Sequence, residues 1–177
     1  MVEHLWRAAV SGAAEVGSRE TESVQLTPDM QRVVHEQRLG FVATVSPDGR
    51  PNLSPKGTTV VLDDQHLMFA DISSPGTVRN LETNPNVDVN VVDPIARRGY
   101  RFEGPAQVHT SGATFERGLT RLHELGSSIS RARVRSIVVI EVSQASPILS
   151  PAYDDGVSEE AISQRWMQHY RSLHPPR

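Results

Sequence analysis

The sequence predicts a mainly β domain with flanking helices. Three observations carry that expectation. Apolar and polar residues alternate at residues 40–46, 87–91 and 100–110, turn residues separate these runs, and hydroxyl-plus-proline signatures open helices around them. At 177 residues, a single core is expected, because a chain of this size buries roughly 70% of its unfolded surface.

Residues 1–14 set Val2, Leu5, Trp6, Ala9, Val10 and Ala13 at helical spacing, with Glu3, Arg7 and Ser11 between them. They read as an amphipathic helix without the uninterrupted apolar stretch of a signal peptide. Residues 17–25 are polar and read as a linker. The expected division is therefore residues 1–26 for this helix and linker and 27–177 for one domain. Thr27 caps the next helix, with Pro28 at its first position, Asp29 on its dipole, and Met30, Val33 and Val34 on its apolar face. That helix should cover one end of a sheet.

In the strand at 40–46, Phe41, Ala43 and Val45 share one face, and Val42, Thr44 and Ser46 the other. Pro47-Asp48-Gly49-Arg50 is a turn, so a hairpin leads into residues 50–62. There Asn52, Ser54, Lys56 and Thr58 form one polar row, continued by Val60 and Leu62. Pro51 and Pro55 deny the strand two ladder donors, which puts it on a sheet edge or at a bulge. After the apolar run from His66 through Ala70, the chain passes Asp71, Ile72, Ser73 and Ser74 into Pro75, Gly76 and Thr77. Ser74 fits an N-cap and Pro75 the first helical position. The free N–H groups of that helix start favour an anion, to which Ser73, Ser74 and Thr77 can add hydroxyls and Arg79 a charge.

Val87, Val89 and Val91 alternate with Asp88 and Asn90 in a half-exposed strand ending at Asp93-Pro94. Arg97 and Arg98 precede another strand, in which Tyr100 and Phe102 share one face and Arg101 and Glu103 the other. Phe115, Leu119 and Leu122 mark a packing helix at 114–125, with His123 beside its apolar face. The alternating arginines 131, 133 and 135 suggest a charged edge before the buried strand at 137–140. Residues 150–156, with Tyr153 and Asp154, read as a connecting turn or as part of a substrate pocket. Ser158 caps a last helix that sets Ile162, Trp166 and Leu173 near one face for docking.

Composition excludes several chemistries. Lys and Arg number 18 against 21 Asp and Glu, a net charge of -3, and aromatics make up 5%. No nucleic-acid partner is expected from that balance, and no membrane partner from the polarity of the chain. The absence of cysteine removes disulfides, thiolate catalysis and cysteine-held zinc or iron–sulfur clusters, and is compatible with a cytoplasmic location. The seven histidines form no close metal-ligand spacing, so no metal site is expected. Neither a Gly-x-Ser-x-Gly elbow nor a Gly-x-Gly-x-x-Gly fingerprint is present.

The co-linear series of strand GFVATVSPDGRPNLSPKG, strand LMFAD, a hydroxyl-bearing helix ending Asn84-Pro85, strand VDVNVVD and Arg98-Gly99-Tyr100-Arg101-Phe102-Glu103-Gly104 resembles the FMN-binding split-barrel proteins related to pyridoxamine 5'-phosphate oxidase. The resemblance covers roughly residues 28–143. It implies a split β-barrel that pairs as a homodimer, with an FMN in each of two clefts between the subunits. It sets Ser54, Pro55, Lys56, Gly57 and Thr58 beside the isoalloxazine, and Asp71, Ser73, Ser74, Thr77, Val78, Arg79 and Asn80 around the ribityl phosphate. Arg98, Gly99 and Tyr100 match a strand start that can reach the partner subunit's flavin. Lys56 matches a basic residue near the ring or phosphate and is the candidate catalytic residue, supplying electrostatic support to the ring on reduction.

Two departures shape the functional expectation. Pro75-Gly76-Thr77 replaces the oxidase's Ser-Arg-Lys phosphate clamp, which shifts phosphate holding to hydroxyls, the helix end and Arg79. The Arg-Leu-His-Asp-Arg signature of the vitamin B6 oxidases is absent; Arg121-Leu122-His123-Glu124 lies on a helix with different neighbours. The expectation is an FMN-dependent oxidoreductase using a small-molecule substrate and an electron donor, and not the B6 oxidase itself. The alternatives are a deazaflavin-dependent reductase of the same fold or a non-catalytic flavin-binding or sensing module.

Overall fold

The computed structural model describes residues 24–174; the amphipathic helix expected at 1–14 and most of its linker lie outside them. The elements are α1 (Pro28–Gln37), β1 (Gly40–Val45), β2 (Pro51–Lys56), β3 (Val60–Val61), β4 (His66–Asp71), α2 (Pro75–Thr83), β5 (Asn86–Asp93) and β6 (Arg98–His109). They continue with α3 (Ala113–Glu124), β7 (Ser136–Glu141), β8 (Gln144–Leu149) and α4 (Glu159–Leu173). All strand pairings are antiparallel, in the order β2-β1-β5-β6-β7-β4-β3, with β8 also on β6. The result is the split barrel that the sequence resembles, a curled antiparallel sheet flanked by four α-helices among the described residues.

The curl is set by β6. Its first eight residues pair with β5 along one edge. Its other edge is divided between β8, which takes Arg98 to Glu103, and β7, which takes Ala106 to His109. At the division the neighbouring backbone presses on Gly104, where an added Cβ would lie 1.9 Å from the Glu141 carbonyl oxygen. A side chain there has no room. The single strand thus belongs to two sheets whose planes diverge at one residue.

Two apolar clusters fill the two sides. Val42, Leu67, Phe69, Val89, Val91, Phe102, Val138 and Ile140 build the barrel interior, sealed by Val33 and Val34 of α1. Val60, Met68, Ala70 and Ile137 face outward into a second cluster, covered by Phe115 and Leu122 of α3. β4 is therefore buried on both faces, which explains its unbroken apolar run.

The starts of α1 and α4 follow their capping residues. Thr27 Oγ1 accepts from the Met30 amide and Ser158 Oγ from the Ala161 amide, as expected. Gly49 takes φ +81 in the β1–β2 turn, and β2, with its two prolines, is the sheet edge.

Four expectations are corrected. The polar row stops at Lys56, because the chain turns at Gly57 and Thr58 and re-enters as β3. Arginines 131–135 guard no edge; residues Arg131–Arg133 form a 3-10 turn leading into β7, which lies between β6 and β4. β8 has no counterpart among the predicted elements, since Ser146 and Pro147 hide its alternation. Finally, α4 docks by its N-terminal half only. Ile162 is buried, Trp166 stacks beneath the Arg97 guanidinium at 4.3 Å, and Glu159 pairs with Arg98 at 2.9 Å, while Leu173 is exposed.

The fold rests on the Gly104 contact, so Gly104→Ala should destabilise the protein by about 3 kcal/mol or more. Gly76→Ala, at a helical position where an added Cβ meets nothing within 4 Å, should cost nothing and can stabilise by up to about 1 kcal/mol. Urea denaturation of both variants checks the contrast; equal midpoints would refute this account of β6.

Candidate functional site

Lys56 ends the edge strand, on the same face as Asn52 and Ser54. Its ammonium is folded inward, leaving the residue 4% exposed. There it donates to Ser54 Oγ at 2.5 Å and Ser74 Oγ at 2.6 Å and lies 5.6 Å from the centre of the Phe69 ring. Lys56 forms no salt bridge among the described residues. Burial pushes its pKa below the ordinary lysine value, and the charge of Asp71 partly offsets this. A buried cation held by two hydroxyls has coordination left for an anion.

Ser74 is the surprise in this arrangement. It is the N-cap residue of α2 by position, but its side chain accepts no capping hydrogen bond. Its hydroxyl is committed to Lys56, and the buried Asp71 carboxylate instead receives the Ser74 amide at 2.7 Å. Asp71 thereby secures the turn that delivers Ser74. Around Lys56 lies a cleft of 350 Å³, lined by Pro55, Gly57, Thr58, Ala70, Ile72, Ser73, Ser74 and Ile129. Gly57 has open space where a Cβ would stand. The Thr58 hydroxyl is already occupied, donating to the Ala70 carbonyl and accepting from its amide.

The other expected site residues on α2 point in two further directions. Thr77 and Asn80 are buried toward β1 and β2. Asn80 Nδ2 and Asn52 Nδ2 both donate to Thr44 Oγ1, at 2.9 and 3.0 Å, and Asn52 reaches Thr77 Oγ1 at 3.4 Å. The roles of Thr44 and Asn52 here were not read from sequence, although an Asn and a Thr on inward strand positions opposite a polar helix face are the available signal. Val78 and Arg79 face a separate recess on the other flank of α2.

Arg98, Gly99 and Tyr100 lie apart from all of these. Arg98 pairs with Asp29 and Glu159, and the Tyr100 hydroxyl donates to Asp29 at 2.6 Å. The Tyr100 hydroxyl, then Arg32 and Arg98, hold the Asp29 carboxyl below the usual carboxylate range, while Tyr100 is raised in return. Gly99 is required by packing, since an added Cβ would meet the Val91 carbonyl oxygen at 2.1 Å. Tyr153 donates to the Ala96 carbonyl, and Asp154 is exposed. Among the described residues no group of three His, Asp or Glu side chains could hold a metal, and no described helix is long and apolar enough to cross a membrane.

With this geometry in view, the comparison with known families is direct: the family described as pyridoxamine 5'-phosphate oxidase matches residues 26–148. The chain belongs to that family. An uncharacterized protein of Methanocaldococcus jannaschii is 30% identical over 91 residues, 50% of this chain and 60% of that protein. The chain thus spans less than two thirds of the curated relative it matches. Among solved structures, HupZ of Group A Streptococcus superposes with a TM-score of 0.62 at 27% identity, covering 70% of this chain and 94% of that one. An FMN-binding protein from Syntrophomonas wolfei subsp. wolfei gives a TM-score of 0.58 at 15% identity, over 69% and 86% of the two chains. An F420 reductase gives 0.55 at 22% identity, over 68% and 98%. The last two share the fold. The family match starts at Leu26 and stops within β8, so α4 is an addition beyond the matched segment.

The depressed Lys56 pKa has a signed consequence. Between its folded value and the ordinary 10.5, the unfolded chain binds more protons, so stability rises with pH across that window. Lys56→Met should flatten this rise and stabilise the ligand-free protein near neutral pH. Thermal denaturation from pH 7 to 10 measures both effects, and superimposable profiles would refute the burial of a charged ammonium.

Proposed function

We propose that this protein is an FMN-dependent oxidoreductase acting on a small molecule, with the flavin held at a homodimer interface. The observation that carries this reading is the Lys56 ammonium, buried without an ion-pair partner among the described residues and held by Ser54 and Ser74 at the mouth of a cleft. A flavin nucleotide offers such a cation either its phosphate or an electron-rich ring edge. Ser73 and Ser74 would supply hydroxyls, and the open space above Gly57 would admit a flat ring. When bound, FMN supplies the redox chemistry, taking up a hydride from a reduced donor and passing electrons on. Lys56 supports negative charge that develops beside it, and the low exposure of its ammonium strengthens that effect.

Two further observations support the dimer. At 350 Å³, the cleft is at the small end of the ~300–1,000 Å³ range of ligand pockets, so a cofactor the size of FMN would need walls from elsewhere. The outer face of β1 and β2 could supply a seat for them. Phe41 pairs across the sheet with Pro55, Ala43 with Leu53 and Val45 with Pro51. Phe41 and Val45 are each 40% exposed and Leu53 65%, a continuous apolar surface of the kind that marks an interface. Pro55 belongs both to this surface and to the cleft. Residues 27–177 form the acting domain in this reading, and its setting is cytoplasmic.

A deazaflavin is the second reading, favoured by the F420 reductase of the same fold. Gly76 and Thr77, where the oxidases carry basic residues, leave the phosphate grip to hydroxyls and so suit either cofactor. An absorbance spectrum of the purified protein, with mass spectrometry of the molecule released on denaturation, separates the two. A colourless protein that takes up neither cofactor would refute both, and one that binds without turning over any nicotinamide donor or electron acceptor would be a flavin-binding module.

Lys56→Ala should weaken FMN binding by about 10- to 100-fold, the scale of one charge-assisted hydrogen-bonded contact, and shift the bound flavin's reduction potential. Unchanged affinity and potential would remove Lys56 from the site. Leu53→Glu should convert dimer to monomer in light scattering and lower flavin retention with it.

A further inference from the structure

The flank of α2 that faces away from Lys56 borders a second recess, of 300 Å³, at the ends of β4, β6 and β7. Arg79 enters it from α2, Arg135 and Ser136 from the start of β7, and Thr110 from the end of β6. Asp71 and Glu82 complete the lining. Neither guanidinium makes an ion pair or a side-chain hydrogen bond among the described residues. Ser136 is more telling. It is 2% exposed, and its hydroxyl is the one buried side-chain polar atom without a hydrogen-bond partner among the described residues.

An unpartnered buried hydroxyl carries the cost of its lost water contacts without repayment, and folds retain few of them. Here the residue that carries the orphan lines a recess together with two arginines that make no ion pair among the described residues. Its backbone setting is rigid: the Arg135 amide donates to the Asp71 carbonyl at 2.8 Å, and Ser136 sits opposite Asp71 in the β4–β7 register. The acidic lining residues do not cancel the arginines equally. The Asp71 carboxylate is buried and committed to the Ser74 amide, whereas Glu82 is exposed on the rim. Two arginines and two hydroxyl-bearing residues line a space large enough for a tetrahedral oxyanion, and guanidinium pairs recognise phosphoryl oxygens by paired N–H groups.

We propose that this recess is a second anion site, built by Arg79, Arg135 and Ser136 to hold a phosphoryl group. It shares no lining side chain with the Lys56 cleft, although the family resemblance sets Asp71, Val78 and Arg79 around the flavin phosphate. Asp71, which secures the turn before α2, stands on its wall, so occupancy would bear on the segment that carries Ser74.

The test is a titration with inorganic phosphate at constant ionic strength, following the arginine Nε–H resonances and the melting temperature. Wild type should show saturable shifts of the Arg79 and Arg135 signals and a concentration-dependent rise in melting temperature. Arg79→Gln and Arg135→Gln should each weaken binding at the recess about tenfold or more, and Ser136→Ala about threefold or more, while Arg165→Gln, at an exposed position that does not line the recess, leaves it unchanged. A flat wild-type titration, or one lost in Lys56→Gln and kept in the arginine variants, would overturn the proposal. Repeating the titration with methyl phosphate identifies the source: tighter binding than inorganic phosphate means an ester, weaker binding the free ion, and either result supports a phosphoryl site.

Discussion

The backbone approach at Gly104 is the constraint on which the rest depends. Because β7 and β8 must share one edge of β6, the two sheets part where β6 has no side chain. That parting turns a flat sheet into a half-barrel with a closed apolar interior on one side. On the other side it leaves β4 and β7 free to carry a second cluster under α3. The site inherits its position from this geometry. β2, at the end of the strand order, is left as an edge, and α2 crosses from β4 to β5 close enough for its start to meet the edge's last residue.

α2 is short, and its polar residues serve three directions within two turns. Ser74 turns to Lys56, Thr77 and Asn80 turn to the strands through Asn52 and Thr44, and Arg79 turns outward to Arg135. The helical repeat makes this division unavoidable, since residues three or four apart share a face and those between do not. A sequence that looks like one phosphate-binding segment is in three dimensions a partition of labour. Electrostatics follows the partition: the ammonium is buried and the guanidiniums of Arg79 and Arg135 are exposed.

Much of this was legible in the sequence, for identifiable reasons. Caps at Thr27 and Ser158 and the turn at Gly49 are local chemistry, and local chemistry decided them. The prolines of β2 correctly marked an edge because the missing donors are a property of the residue itself. What escaped was long-range. Ser74 reads as a cap from its neighbours, yet a lysine 18 positions away claims its hydroxyl. β8 depends on pairing with β6, which its own Ser146 and Pro147 do not announce. The arginines before β7 resemble an edge guard until β4 and β6 enclose that strand. Arg98, matched to a strand start that can reach the partner subunit's flavin, pairs within its own chain with Asp29, some seventy positions earlier, and with Glu159.

The attachment of α4 gives the molecule two grades of cohesion. The barrel is held by apolar burial, which added salt does not weaken. The last helix hangs on the Glu159–Arg98 pair, the Arg97–Trp166 stack and the single buried side chain of Ile162. Ionic screening acts on the first of these contacts and leaves the barrel untouched. The C-terminal arm is thus a brine-sensitive latch on a salt-indifferent body, and its release would bare Ile162 and Trp166 to solvent.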